Sequence, residues 1–166
     1  MYPASGPSHL ASADHPTTDE LQSLLQRARA LQLGTAQHEQ LLLGKRLGLM
    51  TAHPDSEDAQ LFEQAARGLG AHVALIAPPT AQSEGNAQQL ADIGRLLGRL
   101  YDTVECQGVS PDTVRRLARA GDLPMHSGLA GQEHWVFQVA QGWRVPAALA
   151  DRRRWLIQAV LLATLS

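Results

Sequence analysis

The sequence predicts an α/β fold, a doubly wound parallel sheet of about four strands flanked by helices. Short apolar segments alternate with stretches in which apolar residues recur at helical spacing. Each stretch is long enough for the right-handed crossover that joins neighbouring parallel strands. The apolar segments show little polar alternation, which is typical of strands covered by helices on both faces.

The composition favours one domain. The chain has 166 residues, of which 44% are hydrophobic, enough for a single core. A formal net charge of −2 provides no basic surface for nucleic acid or for an anionic membrane. No segment reaches about 18 unbroken apolar residues, and the first residues lack a signal-peptide pattern. The single cysteine, Cys106, excludes an intramolecular disulfide, so we expect a cytoplasmic protein.

The domain is predicted to follow an N-terminal arm. Residues 1–16 are rich in Pro, Ser, Ala and His without periodicity, which predicts a flexible segment. Residues 17–166 are predicted to form the domain. Thr17 and Glu20 fit a capping box, and apolar residues at helical spacing then continue to Gly34.

The remaining elements follow in alternating order. Residues 78–85 are predicted to form a loop because proline and glycine bound them. The predicted strands cover residues 46–51, 72–76, 101–106 and 124–127, and the predicted helices cover residues 55–69, 86–99, 110–121, 132–142 and 150–166.

A ligand site is expected at one edge of this sheet. Ligands of doubly wound sheets bind outside the carboxyl ends of the strands. Those ends are the loops at residues 52–57, 77–86, 107–110 and 127–134. The first loop leads into a helix N-terminus, whose unpaired N–H groups can bind an anion.

Several partial motifs occur in a fixed order along the chain. They are LLGK at residues 42–45, the pair Phe62 and Glu63, DIGR at residues 92–95, YDTVECQG at residues 101–108, and ATL at residues 163–165. Their order and spacing resemble the N-terminal, carbamoyl-phosphate-binding domain of the aspartate and ornithine carbamoyltransferases. The spacing around Tyr101 and the final motif favour ornithine over aspartate ancestry.

The resemblance also implies a reduced architecture. Complete members of that family have a second, amino-acid-binding domain, and their last helix returns to pack on the first domain. Here only residues 144–149 separate the helix at 132–142 from the terminal helix at 150–166. The second domain is therefore expected to be absent, with the two helices forming a hairpin. Family members form trimers with active sites between subunits, which implies a homotrimer or a mixed assembly with a complete carbamoyltransferase.

The phosphate-binding residues of the family are replaced. The family's loop reads Ser-Thr-Arg-Thr-Arg, whereas residues 55–59 here read DSEDA. Glu57 and Ala59 stand where the resemblance implies two arginines, and Gln107 stands where it implies a third. Transfer of a carbamoyl group from phosphate needs several cationic or N–H donors around the phosphate. The replaced positions therefore lack the main electrostatic elements of that reaction.

A second motif is only partly retained. The family's His-Pro-x-Gln motif corresponds to His134, with Gln138 one position late. His134 is the one catalytic candidate, interpreted as a remnant. The ligand-binding candidates are Ser56, Glu57, Gln107, His134 and Gln138. The histidines show no metal-ligand spacing, and neither a metal nor a cofactor is expected.

Each candidate also has a purely structural interpretation. Ser56 fits a helix cap, and Glu57 and Asp58 are first-turn acids that favour the helix dipole. Cys106 is predicted to be a small buried hydrophobe. The arginines at 152–154 are predicted to form a solvated helix start, with partner contact as the alternative.

Two functional hypotheses follow. The first is a catalytically inactive domain that forms oligomers or binds a partner. The alternative is an ornithine/aspartate carbamoyltransferase-type enzyme, or a small-anion or amino-acid binder, with a rebuilt site. In that site Arg95, Arg99, His134 or a side chain of a neighbouring subunit substitutes for the lost arginines. An enzyme would need at least two convergent cations near residues 52–57.

Overall fold

The computed structural model describes residues 15–34 and 38–165, and the predicted arm therefore lies outside the described residues except for its last two. A 3-10 turn, His38–Gln40, precedes the first strand. The strands are β1 (Arg46–Met50), β2 (His72–Ile76), β3 (Thr103–Cys106) and β4 (Met125–Ser127), and the helices are α1 (Thr18–Gln32), α2 (Glu57–Gly68), α3 (Ala81–Glu84), α4 (Ala87–Leu100), α5 (Pro111–Gly121), α6 (Trp135–Gly142) and α7 (Leu149–Leu165).

The sheet is parallel, with strand order β2-β1-β3-β4. Met50 at the end of β1 pairs with both Ile76 and Cys106, and Cys106 pairs with Ser127. All four carboxyl ends therefore lie along one edge. The predicted doubly wound α/β fold is confirmed.

Each face of the sheet has its own core. Leu47 and Leu49 of β1 are fully buried in a cluster with Phe62 of α2 and with residues of α1, α6 and α7. Met50 and Val104 lie in a second cluster that includes residues of α4 and α5. The alternation along β1 sends successive side chains to opposite faces, as strand geometry requires.

Helix α7 packs against α1, α2 and α6, as predicted for the terminal helix. Leu156, Ile157 and Leu161 of α7 are fully buried. The Arg152 guanidinium donates to the carbonyl oxygens of Ala140 and Trp143, each at 2.9 Å. These bonds satisfy carbonyls at the end of α6 and hold α6 and α7 together as a hairpin.

Some predicted boundaries were wrong for local reasons. Residues 78–85 contain the short helix α3, whose cap Thr80 accepts from Ser83 N–H. Helix α6 begins at Trp135 because the preceding residue, His134, is its cap. Strand β3 begins at Thr103 because Tyr101 still caps the end of α4.

Candidate functional site

The carboxyl edge of the sheet joins three of the predicted loops. The Gln107 N–H, after β3, donates to the Met50 carbonyl of β1 at 2.9 Å, and the Gly128 N–H, after β4, donates to the Cys106 carbonyl at 2.8 Å. The segments that follow β1, β3 and β4 are therefore neighbours. They bring the α2 N-terminus, Gln107 and the loop before α6 to one surface.

The first turn of α2 is acidic and capped. Ser56 is the N-cap, and its hydroxyl accepts from the Ala59 N–H at 3.1 Å. Glu57 is exposed and Asp58 is half-buried. The capping prediction is confirmed, and both acids lie where the helix dipole favours negative charge.

Arg153 of α7 reaches the same surface, which the sequence did not reveal. Its guanidinium donates to the Ala130 carbonyl at 2.5 Å and lies 3.7 Å from the Asp58 carboxylate. It also lies 5.0 Å from the centre of the Phe137 ring. The side chain is only 14% exposed, so the prediction of a solvated arginine run was wrong at this position. Three consecutive helical residues span about 200°, so they cannot all face solvent on a packed helix.

Glu105 of β3 is a second residue that sequence reasoning missed. Its carboxylate is fully buried and accepts from the N–H groups of Leu129 and Ala130 at 3.0 and 3.1 Å. Burial raises the pKa of Glu105 to about 7, although these hydrogen bonds and the nearby Gln107 side chain lower it. An acidic residue inside an otherwise apolar strand was the sequence signal that could have identified it.

The loop before α6 is thus held from both sides. Glu105 binds the backbone N–H groups of the loop before α6, while Arg153 binds a carbonyl of the same loop. The N–H groups of Leu129 and Ala130, which could donate to an incoming anion, are therefore already used by an internal carboxylate. This arrangement fixes the loop but reduces its capacity to bind a ligand anion.

His134 is a buried, hydrogen-bonded side chain. Its Nδ1 accepts from the Val136 N–H at 3.2 Å, so the ring caps α6. Burial, with a smaller contribution from the charge of nearby His15, lowers the pKa of His134 to about 4. The ring is therefore neutral at pH 7, with its proton on Nε2. The interpretation of His134 as a hydrogen-bonded remnant agrees with this geometry.

His126 lies close to His134 and is also neutral. Burial, with a smaller contribution from the charge of His134, lowers the pKa of His126 to about 3. Its Nε2 lies 3.3 Å from the Thr164 hydroxyl of α7. Because that hydroxyl donates to the Val160 carbonyl at 2.9 Å, the histidine is placed as the donor to Thr164.

The other candidates contribute little charge. Gln107 is partly buried, and neither of its amide atoms makes a hydrogen bond within residues 15–34 and 38–165, although the side chain lies close enough to Glu105 to lower its pKa. Gln138 is exposed on α6. Arg95 and Arg99 lie in the second half of α4, which runs away from the carboxyl edge, and Arg95 pairs with Asp92 at 2.5 Å. The proposed substitution by Arg95 or Arg99 therefore has no geometric basis.

Cys106 is buried at the end of β3. Burial raises the pKa of its thiol well above the usual range, and the Glu105 charge raises it further. A thiol in this state is not a nucleophile at neutral pH. The prediction of a small buried hydrophobe is confirmed.

The described part of the chain contains no cluster of three or more His, Cys, Asp or Glu side chains arranged to hold a metal ion. Among the helices formed by those residues, none has the length and hydropathy needed to cross a membrane.

The fold and the carboxyl edge of the sheet define a doubly wound α/β domain of the kind that binds small anions at that edge. In this chain the first turn of α2 at that edge is acidic. The family model of the aspartate/ornithine carbamoyltransferase carbamoyl-phosphate-binding domain matches residues 8–139. The chain therefore belongs to the aspartate/ornithine carbamoyltransferase family, and the resemblance inferred from the partial motifs is confirmed.

Curated relatives agree with this assignment. The chain is 34% identical over 134 residues to the catabolic ornithine carbamoyltransferase of Pseudomonas putida, covering 80% of this chain and 40% of that enzyme. It is 35% identical over 130 residues to an ornithine carbamoyltransferase of Actinobacillus pleuropneumoniae, covering 76% of this chain and 38% of that enzyme. The matched part thus spans 38–40% of these relatives.

Solved structures show the same fold. The catalytic subunit of M. jannaschii aspartate transcarbamoylase aligns with a TM-score of 0.59 and 25% identity, over 76% of this chain and 42% of that subunit. Giardia lamblia ornithine transcarbamoylase aligns with a TM-score of 0.59 and 19% identity, over 74% of this chain and 37% of the other.

Proposed function

We propose that this chain is a carbamoyltransferase-family domain that does not turn over carbamoyl phosphate and serves instead as an oligomerising or partner-binding domain. The observation that carries the proposal is the charge at the first turn of α2. Glu57 is exposed there, and Asp58 lies 3.7 Å from Arg153, the cationic side chain that the described residues bring to this turn. An acidic turn with one neutralised cation repels a phosphate dianion.

The size of the lost binding free energy argues against the family's mode of binding carbamoyl phosphate. Glu57, Ala59 and Gln107 occupy the positions where the family uses arginines. A charged contact contributes about 1.5 to 3 kcal/mol, so the loss of three costs about 5 to 9 kcal/mol, or roughly four to six orders of magnitude in affinity. His134 is neutral at pH 7, so it adds no charge that could offset this loss.

Titration calorimetry with carbamoyl phosphate tests the proposal. We expect no saturable heat from the unmodified chain at about 1 mM ligand, a concentration that detects binding of about −4 kcal/mol. Glu57→Arg should increase affinity for the ligand, because it replaces a repulsive charge by an attractive one. Asp92→Arg makes the same charge change on an exposed side chain of α4, outside the surface formed by the α2 N-terminus and the loop before α6, and is the matched control. Binding or turnover by the unmodified chain would refute the inactive assignment.

The oligomeric part of the proposal rests on exposed apolar surface together with family membership. Leu75 of the edge strand β2 is 59% exposed, and Leu96 and Leu100 of α4 are 54% and 43% exposed. Apolar side chains of this size on a sheet edge are candidates for burial between subunits. We propose a homotrimer or a mixed assembly with a complete carbamoyltransferase, in the cytoplasm.

Light scattering at micromolar protein tests the assembly. We expect a trimer-sized species, and Leu75→Lys should shift it towards the monomer. Leu33→Lys is the control, because Leu33 is 70% exposed but is the C-cap of α1 and not part of β2. A monomer in the unmodified protein contradicts self-assembly, and a pull-down from the native cell then tests the mixed assembly.

Arg153 favours one alternative, a rebuilt small-anion site. An anion could replace Asp58 as the partner of this guanidinium, because the two side chains are separated by 3.7 Å and Asp58 is 45% exposed. Asp58→Asn would then create measurable binding of inorganic phosphate that the further change Arg153→Gln removes. Phosphate binding by the unmodified chain would favour this alternative over the inactive domain.

A further inference from the structure

A concave surface lies beside the second half of α2, apart from the acidic first turn that forms the candidate site. It is formed by the second half of α2, the end of α1, the start of α7 and the 3-10 turn before β1. Because α2 begins at the carboxyl edge and ends before β2 starts, its second half lies towards the amino edge. The cavity has a volume of about 450 Å³, which falls within the usual range for small-molecule sites.

Gln158 of α7 places a free acceptor in this cavity. The side chain is only 6% exposed, and its Nε2 donates to the Ala65 carbonyl at 3.0 Å. A carbonyl oxygen can only accept, so the amide orientation is fixed and the Oε1 oxygen is left for another donor. That oxygen accepts no hydrogen bond from the residues that the structure describes. A polar atom in this position favours a ligand that carries an N–H group.

Opposite charges line the cavity from different elements. Arg154 of α7 pairs with Asp151 at 3.2 Å and lies 5.7 Å from the centre of the Trp155 ring. The pair is half-exposed, so it is weak, and the guanidinium retains donors for a second carboxylate. Glu39 is an exposed carboxylate on the 3-10 turn. One guanidinium and one carboxylate on separate walls complement a zwitterion.

The turn that carries Glu39 is held in place by its backbone. The Leu42 N–H donates to the Leu69 carbonyl at 2.7 Å. Gly70 has a φ of +88°, and a Cβ at that position would collide with the Glu39 carbonyl oxygen. The turn therefore packs against the segment between α2 and β2 at a point where only glycine fits. A carboxylate on a fixed turn loses less entropy when it binds a ligand.

We propose that this cavity binds a free α-amino acid with an uncharged polar side chain. Arg154 receives the ligand carboxylate, Glu39 receives the ammonium group, and the Gln158 Oε1 accepts an N–H from the side chain. Leu31 and Trp155 provide the apolar walls. The site is separate from the carboxyl edge, so it goes beyond the proposed function and does not depend on it.

The test uses the full chain and L-glutamine as the probe, with binding measured by calorimetry and by the shift of the Gln158 side-chain amide in nitrogen-15 NMR spectra. Two analogues separate the contributions of the charges. The first, 4-aminobutanamide, lacks the carboxylate, and the second, glutaramate, lacks the amine. We expect saturable binding of L-glutamine and binding of each analogue that is weaker by roughly tenfold or more, which is about 1.4 kcal/mol.

Variants locate the binding. Arg154→Gln and Glu39→Gln should each weaken L-glutamine binding by roughly tenfold, since each removes one charged contact. Arg144→Gln and Glu133→Gln change exposed charges elsewhere and should leave the affinity unchanged. The proposal is refuted by the absence of saturable binding up to about 20 mM, by equal binding of the three molecules, or by affinities that none of the cavity variants changes.

Discussion

The buried carboxyl of Glu105 yields a quantitative prediction about stability and pH. Glu105 lies in the core of the sheet, and its carboxylate accepts from the Leu129 and Ala130 N–H groups. Substitution by glutamine keeps the shape and one acceptor oxygen but removes the ionisation. The amide nitrogen then faces one of the two N–H donors, which costs about 1 to 3 kcal/mol at every pH.

The pH-dependent part of the effect of Glu105→Gln on the free energy of unfolding is stabilising, opposite in sign to this constant cost. The pKa of Glu105 is raised from 4.5 to about 7 in the folded state, chiefly by burial. A carboxyl with a raised pKa contributes stability that is fully present below 4.5 and is lost as pH rises through about 7. At about 1.36 kcal/mol per pH unit, the unmodified chain loses about 3 kcal/mol over this window. The glutamine variant has no such loss, so it gains relative to the unmodified chain as pH rises.

Urea unfolding, followed by tryptophan fluorescence at several pH values from about 5 to about 8, measures this difference. His126 and His134 titrate in both proteins, so their contributions cancel. We expect Glu105→Gln to be less stable than the unmodified chain at the acidic end and to gain about 2 to 3 kcal/mol on it by the alkaline end. Glu133→Gln, the same change on an exposed side chain, is the control. A difference for Glu105→Gln that stays constant with pH to within about 0.5 kcal/mol would refute the assignment of a buried, titrating carboxyl.

Three further experiments test the packing. Arg152→Ala should lower the free energy of unfolding by about 2 to 3 kcal/mol because it removes charged hydrogen bonds to the end of α6, whereas Arg154→Ala should change it by less than about 1 kcal/mol; urea unfolding measures both. Gly98→Ala should lower the free energy of unfolding by at least about 1 to 3 kcal/mol, because its Cβ would collide with the backbone at the end of α5. Gly142→Ala, with open space around the added Cβ, should leave it nearly unchanged in the same assay. Cys106 should react with a thiol reagent only after unfolding, and fast reaction in the folded protein would contradict its burial.

Local sequence signals predicted the fold because they coincide with the tertiary structure. The Thr17 capping box and the Ser56 cap are both present. Pro111 opens α5, and Asn86 caps α4, next to the boundaries predicted from sequence. The loops at the carboxyl edge followed from strand order alone, since parallel strands must align their ends.

The site was less predictable because its contacts are distant in sequence. Arg153 contacts Asp58 and Ala130, residues from two other segments, and no local pattern encodes that arrangement. The burial of Glu105 could not be predicted because an acidic residue in a strand can face solvent or be buried. Only the packing of α6 and α7 decides between these two environments. The capping role of His134 depended on the exact start of α6, and element boundaries are the least certain part of any prediction from sequence.

The acidic first turn of α2 also contributes to the stability of the domain itself. An apo enzyme site must hold several cations together without their ligand, and the resulting repulsion lowers stability until the substrate binds. Here Glu57 and Asp58 favour the α2 dipole, each by about 0.3 to 1 kcal/mol, and Asp58 also neutralises Arg153. Asp58 therefore offsets Arg153 within the chain, while the exposed Glu57 leaves the turn net negative.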